Sequence, residues 1–62
     1  MFKEGNLVQH FKGGVYKILY IATDTTTMEE SVVYESELDG KVWVRSLKEF
    51  SETITRPRFK VL

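Results

Sequence analysis

The hydrophobic positions of this chain fall into short runs separated by polar or glycine-containing segments, a pattern typical of β-strands. Residues 15–23 (VYKILYIAT) form the longest run, which is rich in β-branched and aromatic residues and too short for an amphipathic surface helix. Gly13 and Gly14 supply a turn before it. The pattern predicts four further strands, at residues 6–11, 31–38, 41–46 and 58–62, and one short 3₁₀ or helical turn at residues 47–50.

The Asp-Gly step at residues 39–40 is the strongest local signal, because it tolerates the positive φ angles of a type I′ turn between two strands. A two-residue turn there sets Tyr34 opposite Arg45 and brings Trp43 diagonal to Tyr34. The hairpin then has two faces, one with tyrosine, tryptophan and arginine and one with valines and glutamates. A guanidinium lying against an aromatic ring stabilises an exposed site by about 0.5–1 kcal/mol.

Two interpretations of this hairpin stay open. In the first, the face that bears Trp43 packs inward, so that Trp43 and Tyr34 form the core and the charged end of Arg45 reaches outward. In the second, the valines of the hairpin face inward, and the aromatic rings and the arginine form a surface platform that Tyr16 extends. Sharply bent strands can also bury part of both faces.

The chain has 62 residues and no cysteine, which limits the kind of protein it can be. It has room for one domain, residues 1–62, which buries only about 60% of the surface that its unfolded form exposes. Five short strands in so short a chain favour a mainly β, small closed or half-closed barrel, because closure covers strand edges. No disulfide or thiolate metal site is available. With no apolar run of about 20 residues and no signal-peptide core, we expect a cytoplasmic protein without membrane contact or cofactor.

The charges cancel but are unevenly placed. Nine basic and nine acidic side chains give a net charge of zero, yet residues 18–40 hold six acidic residues and no lysine or arginine. Residues 41–62 hold six basic residues against two acidic ones. Because these segments can fold face to face, the asymmetry supports a nucleic-acid partner only weakly. The alternating Arg56, Arg58 and Lys60 indicate a solvated edge that discourages aggregation, or alternatively a strip for phosphates.

The sequence offers binding chemistry rather than catalytic chemistry. His10 is the only histidine, no spacing joins it to a metal ligand or a nucleophile, and no phosphate loop is present. We therefore expect neither an enzyme nor a metal site. Aromatic rings combined with cationic groups recognise flat or anionic groups such as bases, peptides or carboxylates. The candidate contact residues are Tyr34, Trp43 and Arg45, followed by Tyr16, His10 and Lys12.

These features favour a binding or adaptor module for a peptide, a nucleotide or another small anionic or planar ligand. Two alternatives of other classes stay open. A structural or oligomerisation domain would pair an exposed apolar edge or patch with a second copy. A weak nucleic-acid-binding module would show salt-sensitive binding to oligonucleotides.

Four segments, in this order and at these distances, carry a family resemblance. They read HFKGGVYKIL at residues 10–19, SVVYESEL at 31–38, VWVRSLKEF at 42–50 and PRF at 57–59. The chain resembles the bacterial and phage family called domain of unknown function 1653, typified by H-F-K-G-x-x-Y, V-V-Y, W-V-R-P-L-x-x-F and P-R-F segments. The resemblance implies a compact, SH3-like β-barrel. It implies no known chemistry, because the family's function is unassigned.

Two positions depart from the family pattern. Val8 stands where members often have tyrosine, and Ser46 stands where they usually have proline. The departures put in question an aromatic contact at the first position and a rigid turn at the second. All six candidate contact residues stand at positions that match the pattern.

Overall fold

Five strands and one short helix make up the described chain. The computed structural model describes residues 2–52 and 58–62, so that Arg56 and Pro57 lie outside the described residues. The predicted strands and helical turn are confirmed, with bounds that differ from the prediction by at most two residues. No helix in the described part of the chain has the length and apolar character that crossing a membrane requires. The elements are β1 (Leu7–His10), β2 (Val15–Thr23), β3 (Glu30–Ser36), β4 (Val42–Ser46), α1 (Leu47–Phe50) and β5 (Phe59–Val61).

The strands form one antiparallel sheet in the order β4-β3-β2-β1-β5. The mainly β class is confirmed. Of the closed or half-closed barrel that was predicted, the closed form is wrong, because β4 and β5 are opposite edges of the described sheet. Backbone bonds at both ends hold the short β5 against β1. The Phe11 N–H donates to the Arg58 carbonyl at 2.7 Å, and the Leu62 N–H donates to the Leu7 carbonyl at 2.8 Å.

One face of the sheet, the inner face, carries the buried side chains. Phe50 of α1 covers this face, and its ring stacks on the ring of Phe59 with centroids 3.9 Å apart and an interplanar angle of 7°. Tyr34 packs against both rings, with centroid distances of 5.1 and 5.7 Å. The core is therefore largely aromatic. Its buried members are Val8, Ile18, Val32, Tyr34, Phe50 and Phe59.

The short helix α1 is fixed at both ends by serine hydroxyls. The hydroxyl of Ser46 accepts the N–H of Glu49 at 3.1 Å and caps the start of the helix. The hydroxyl of Ser51 donates to the Leu47 carbonyl at 2.8 Å. Ser46 therefore ends β4 and begins α1 without the proline of the family pattern, and the helix presents Phe50 to the inner face.

A bulge in β2 explains why its sequence does not alternate between apolar and polar residues. Ile18 lies opposite Tyr34, but the register shifts before Tyr20, which lies opposite Val33. The extra residue between them moves the next isoleucine, Ile21, to the inner face that also carries Ile18. Both isoleucines thus contribute to one core despite their odd spacing.

The hairpin between β3 and β4 differs from its predicted register by two residues. Tyr34 lies opposite Trp43 rather than Arg45, and Val32 lies opposite Arg45. The connection is a four-residue loop at residues 37–40 rather than a two-residue type I′ turn. A type I′ turn needs positive φ at both central residues, and in this loop only the glycine has it.

Side-chain bonds explain why the longer loop forms. The carboxylate of Asp39 accepts the N–H of Lys41 at 3.0 Å, and the hydroxyl of Ser36 accepts the N–H of Leu38 at 3.2 Å. The Gly40 N–H donates to the Ser36 carbonyl at 2.9 Å. These bonds hold the loop in a compact form that local turn propensity alone does not predict.

The shift of two residues leaves the two faces of the hairpin as predicted, because strand side chains alternate with a period of two. Tyr34, Trp43 and Arg45 share the inner face. The structure combines the two interpretations of the hairpin, because Tyr34 is buried while Trp43, on the edge strand, is 49% exposed. The opposite, outer face is not covered by α1, and Val42 and Val44 on it are 55% and 67% exposed.

Replacing Gly40 by valine should lower the free energy of unfolding by about 1 kcal/mol or more, because β-branched residues are disfavoured at positive φ. The φ angle of Gly40 is 73°, and an added Cβ would meet no atom within 4 Å, so the loss would come from backbone strain. Urea denaturation measures it. Gly40→Asn is the matched control and should lose less, because asparagine tolerates this region. Unchanged stability of the valine variant would contradict the loop geometry.

Phe50→Ala should destabilise the fold by about 3–5 kcal/mol, because it removes a fully buried ring. That loss is comparable with the whole stability of so small a domain, at about 0.05–0.15 kcal/mol per residue. Thermal unfolding followed by circular dichroism should show no cooperative transition. Leu38→Ala, at a loop position that is 94% exposed, is the control and should change stability by less than about 0.5 kcal/mol.

Candidate functional site

Four of the six candidate contact residues come together on the inner face. Tyr16 of β2, Tyr34 of β3, and Trp43 and Arg45 of β4 line one open cavity of about 190 Å³, the aromatic-arginine cleft. Antiparallel pairing produces this grouping, because Tyr34 lies directly opposite Trp43 and the next inner-face residue of β4 is Arg45. The cleft therefore spans three neighbouring strands.

The tyrosines form a rigid wall of the cleft. The rings of Tyr16 and Tyr34 meet edge to face, with centroids 5.2 Å apart and an interplanar angle of 89°. Tyr16 also packs edge to face on Phe59 at 5.8 Å, which ties the wall to the aromatic core. Rings held in this way lose little entropy when a ligand binds against them.

Arg45 presents a hydrogen-bond donor without a partner. Its Nε atom is buried and has no hydrogen-bond partner among the described residues. Within the same residues, no carboxylate lies within 4 Å of its guanidinium. The Tyr34 hydroxyl, an acceptor beside the guanidinium, raises the pKa of Arg45 despite the opposing effect of burial. A fully charged guanidinium thus lines the cleft beside the tyrosine and tryptophan rings.

The other two candidates, His10 and Lys12, lie in a neighbouring group. The ring of His10 packs edge to face on Phe59 at 5.0 Å, and Phe59 separates it from the tyrosine wall. The Lys12 N–H donates to Nδ1 of His10 at 3.1 Å, which assigns the proton of the neutral ring to Nε2. The Lys12 ammonium lies 5.9 Å from the centroid of the Phe11 ring. His10 therefore does not line the cleft, and it lines a separate open pocket of about 260 Å³ together with Lys60.

The surroundings of His10 are electropositive. Burial lowers the pKa of His10, and the charges of Lys12, Arg58 and Arg45 lower it further. An ion pair of 3.3 Å between Arg58 and Glu52 is exposed at the surface and screened by solvent. The combined field of these cations would favour an anion near His10 and the cleft.

The sequence analysis missed two features of this region. Phe59 joins the two groups of candidates, although its position in an alternating terminal strand gave only a weak sign of burial. A second cavity, of about 370 Å³, lies at the end of β4 and is lined by Glu29, Glu30 and Ser46 among others. The glutamates and Lys48 that line this second cavity can neutralise one another. The smaller aromatic-arginine cleft, whose lining residues include one cation and no carboxylate, is therefore the stronger candidate for a binding site.

The described residues hold no group of three or more histidine, cysteine, aspartate or glutamate side chains that could bind a metal ion. In the same part of the chain, His10 has Phe59 and Phe11 as ring neighbours rather than a nucleophile. The arrangement can hold a ligand through rings and a fixed positive charge.

Comparison with protein families places this chain. Residues 6–61 match the model of a family described as "Protein of unknown function (DUF1653)". The chain belongs to this family. Membership in the DUF1653 family confirms the resemblance found in the sequence, and the family description assigns no function. No curated protein matches the chain, and neither does any solved structure.

Lowering the pH should destabilise the protein through His10. Since the pKa of His10 is lowered on folding, its neutral form supports the fold above the unfolded value of about 6.5, and this contribution is lost as the pH falls below it. The urea concentration at the midpoint of unfolding should therefore decrease as the pH is lowered from about 7.5 to about 5.5, a range above that in which the carboxylates titrate.

The control is His10→Asn, which keeps an acceptor for the Lys12 N–H but does not titrate. Its urea midpoint should change less over the same pH range. An NMR titration of His10 that gave a pKa at or above about 6.5 would contradict the electropositive surroundings described for it.

Proposed function

We propose that the protein is a binding or adaptor module whose aromatic-arginine cleft holds one planar anionic group, a carboxylate of a peptide above all. The observation that carries this proposal is the buried, unpartnered Nε of Arg45 in a cavity walled by aromatic rings. Arginine suits such a role because its planar donors match the two oxygens of a carboxylate.

The size of the cleft narrows the choice among ligands. At about 190 Å³ it is smaller than the roughly 300–1,000 Å³ of sites that enclose whole small molecules. An apolar cavity of about 150 Å³ can hold a benzene ring. The cleft is therefore suited to one side chain or chain terminus, and a nucleotide could place only its base inside.

The electrostatics of the cleft favour an anion over a cation. Lys12, Arg58 and Arg45 all act on His10 as positive charges. The four residues that line the cleft include no carboxylate. A bound carboxylate would satisfy the Arg45 donor and leave the rings in contact with the apolar part of the ligand.

Other parts of the prediction accompany this proposal. Five antiparallel strands and a long, bulged second strand support the SH3-like relationship that the family resemblance implied, in a sheet that is open. We keep the cytoplasmic location and the absence of catalysis as predictions. Nucleic-acid binding stays a weaker candidate, because the net charge of zero provides no general attraction to phosphates.

Benzoate should bind to the cleft and change the fluorescence of Trp43, the only tryptophan of the chain. Benzoate joins a carboxylate to a flat ring, whereas benzamide has the same shape without the charge. So small a ligand should bind with a dissociation constant of about 1 mM. Arg45→Gln should weaken benzoate binding by about tenfold or more, and Arg45→Lys should weaken it less.

The controls separate the cleft from general charge effects. Lys48→Gln removes an exposed cation outside the cleft and should leave benzoate binding unchanged. Equal responses to benzoate and benzamide would contradict anion recognition. A benzoate response that survives in Arg45→Gln would place the binding somewhere else. A glutamate-containing peptide then tests whether the same residues recognise a carboxylate on a polypeptide.

A further inference from the structure

The two edges of the sheet differ in how well they are protected. The β5 edge has three residues, and it carries the exposed Lys60 and follows the partly exposed Arg58, features that discourage strand pairing. The β4 edge has five residues, and three of them in succession, Val42, Trp43 and Val44, are large, apolar and about half exposed or more. Within the described residues, no strand pairs with the outer side of β4.

The backbone of β4 is oriented to accept another strand. The Ser36 N–H donates to the Lys41 carbonyl at 2.8 Å, so every second residue counted from Lys41 bonds to β3 in an antiparallel ladder. The intervening residues, Val42 and Val44, therefore direct their N–H and C=O groups away from β3. These groups form a ladder edge of the kind to which an extended strand adds.

We propose that β4 pairs antiparallel with β4 of a second copy of this chain, with Val44 on the two-fold axis. The two sheets would then form one continuous sheet of ten strands. In this register Val44 meets Val44 of the second copy, and Trp43 lies opposite Arg45 of the second copy on the inner face. The two-fold symmetry makes this contact twice, so that the guanidinium of each copy lies beside the indole ring of the other.

The two neighbouring symmetric registers, centred on Trp43 and on Val42, are less favourable. Centring the pair on Trp43 would place Lys41 opposite Arg45 of the second copy, a like-charge contact made twice. Centring it on Val42 would draw the loop at residues 37–40 into the ladder, although the backbone and side-chain bonds of that loop are already satisfied internally. Of these three registers, the Val44-centred one alone avoids both costs.

Charge complementarity supports a second copy as the partner. Lys41 stands just before β4, and the cavity at the end of β4 is lined by Glu29 and Glu30. Antiparallel pairing brings the beginning of one β4 beside the end of the other, so each Lys41 comes near the cavity of the second copy in which Glu29 and Glu30 stand against a single cation, Lys48. The separation of acidic and basic segments in the sequence then serves contact between copies.

The first experiment measures molecular mass by sedimentation over a range of concentrations up to about 1 mM. The wild-type protein should approach twice the 7.2 kDa of one chain and return to one chain on dilution. Val44→Lys should remain a single chain, because it places two cations together on the axis. A wild-type protein that stays a single chain up to that concentration would overturn the proposal.

Tyr20→Lys is the matched control, because Tyr20 is 63% exposed on the same outer face but lies on an interior strand. It should still dimerise. Loss of the dimer in this variant, with retention in Val44→Lys, would indicate packing between faces and overturn edge pairing. Both positions are exposed, and circular dichroism verifies that the variants fold.

A second measurement tests the register by disulfide formation. The chain has no cysteine, so Val44→Cys introduces a single thiol. Opposite residues in a hydrogen-bonded antiparallel pair have Cα atoms about 5.5 Å apart, within the range that a disulfide spans. In an oxidising buffer, Val44→Cys should cross-link to a dimer faster than Tyr20→Cys does, by about tenfold or more. Equal rates for the two variants would overturn the register. Because the pairing would also bring Trp43 and Arg45 of the cleft against the second copy, benzoate binding is measured in the single-chain Val44→Lys variant, where its outcome does not depend on the dimer.

Discussion

The stacking of Phe50 on Phe59 is the contact on which the rest of the structure depends. Phe50 follows the edge strand β4 through α1, and Phe59 begins the opposite edge strand β5, so one pair of rings at 3.9 Å joins the two edges across the inner face. Tyr34 packs on both rings, Tyr16 and His10 pack on Phe59, and Phe2 packs on Phe50. Ring contacts between side chains thus perform in this small domain the role that hydrogen bonds between the first and last strands perform in a closed barrel.

The cleft lies where this aromatic layer ends. Tyr34 belongs to the core and to the cleft, so the ring that stabilises the fold also fixes the position of the neighbouring Arg45. Trp43 is half exposed because β4 has no neighbouring strand within the described residues. The open cleft and the unpaired edge of β4 therefore have the same cause, which is that the sheet stays open on the side of β4. A closed barrel would have covered the edge and buried the indole.

The sequence predicted the strands and the faces of the hairpin correctly, because both depend on the local order of apolar and polar residues. The five strands follow from short apolar runs, and the grouping of Tyr34, Trp43 and Arg45 on one face follows from the two-residue period of a strand, even though the register was wrong by two. The four-residue loop could not be predicted, because it depends on side-chain bonds from Ser36 and Asp39 that compete with the simpler turn. Nor could the strand order, because the pairing of a three-residue β5 with β1 is a long-range contact with almost no local signal.

The buried Nε of Arg45 carries an energetic cost that the other residues of the cleft do not. Leaving a buried donor without a partner costs about 1–3 kcal/mol, and more when the group is charged. A domain of 62 residues has a total stability of roughly 3–9 kcal/mol at 0.05–0.15 kcal/mol per residue, so that cost is a large fraction of it. In the proposed function, a ligand carboxylate would bond to the guanidinium where it lines the cleft, beside the Tyr34 hydroxyl that already lies next to it.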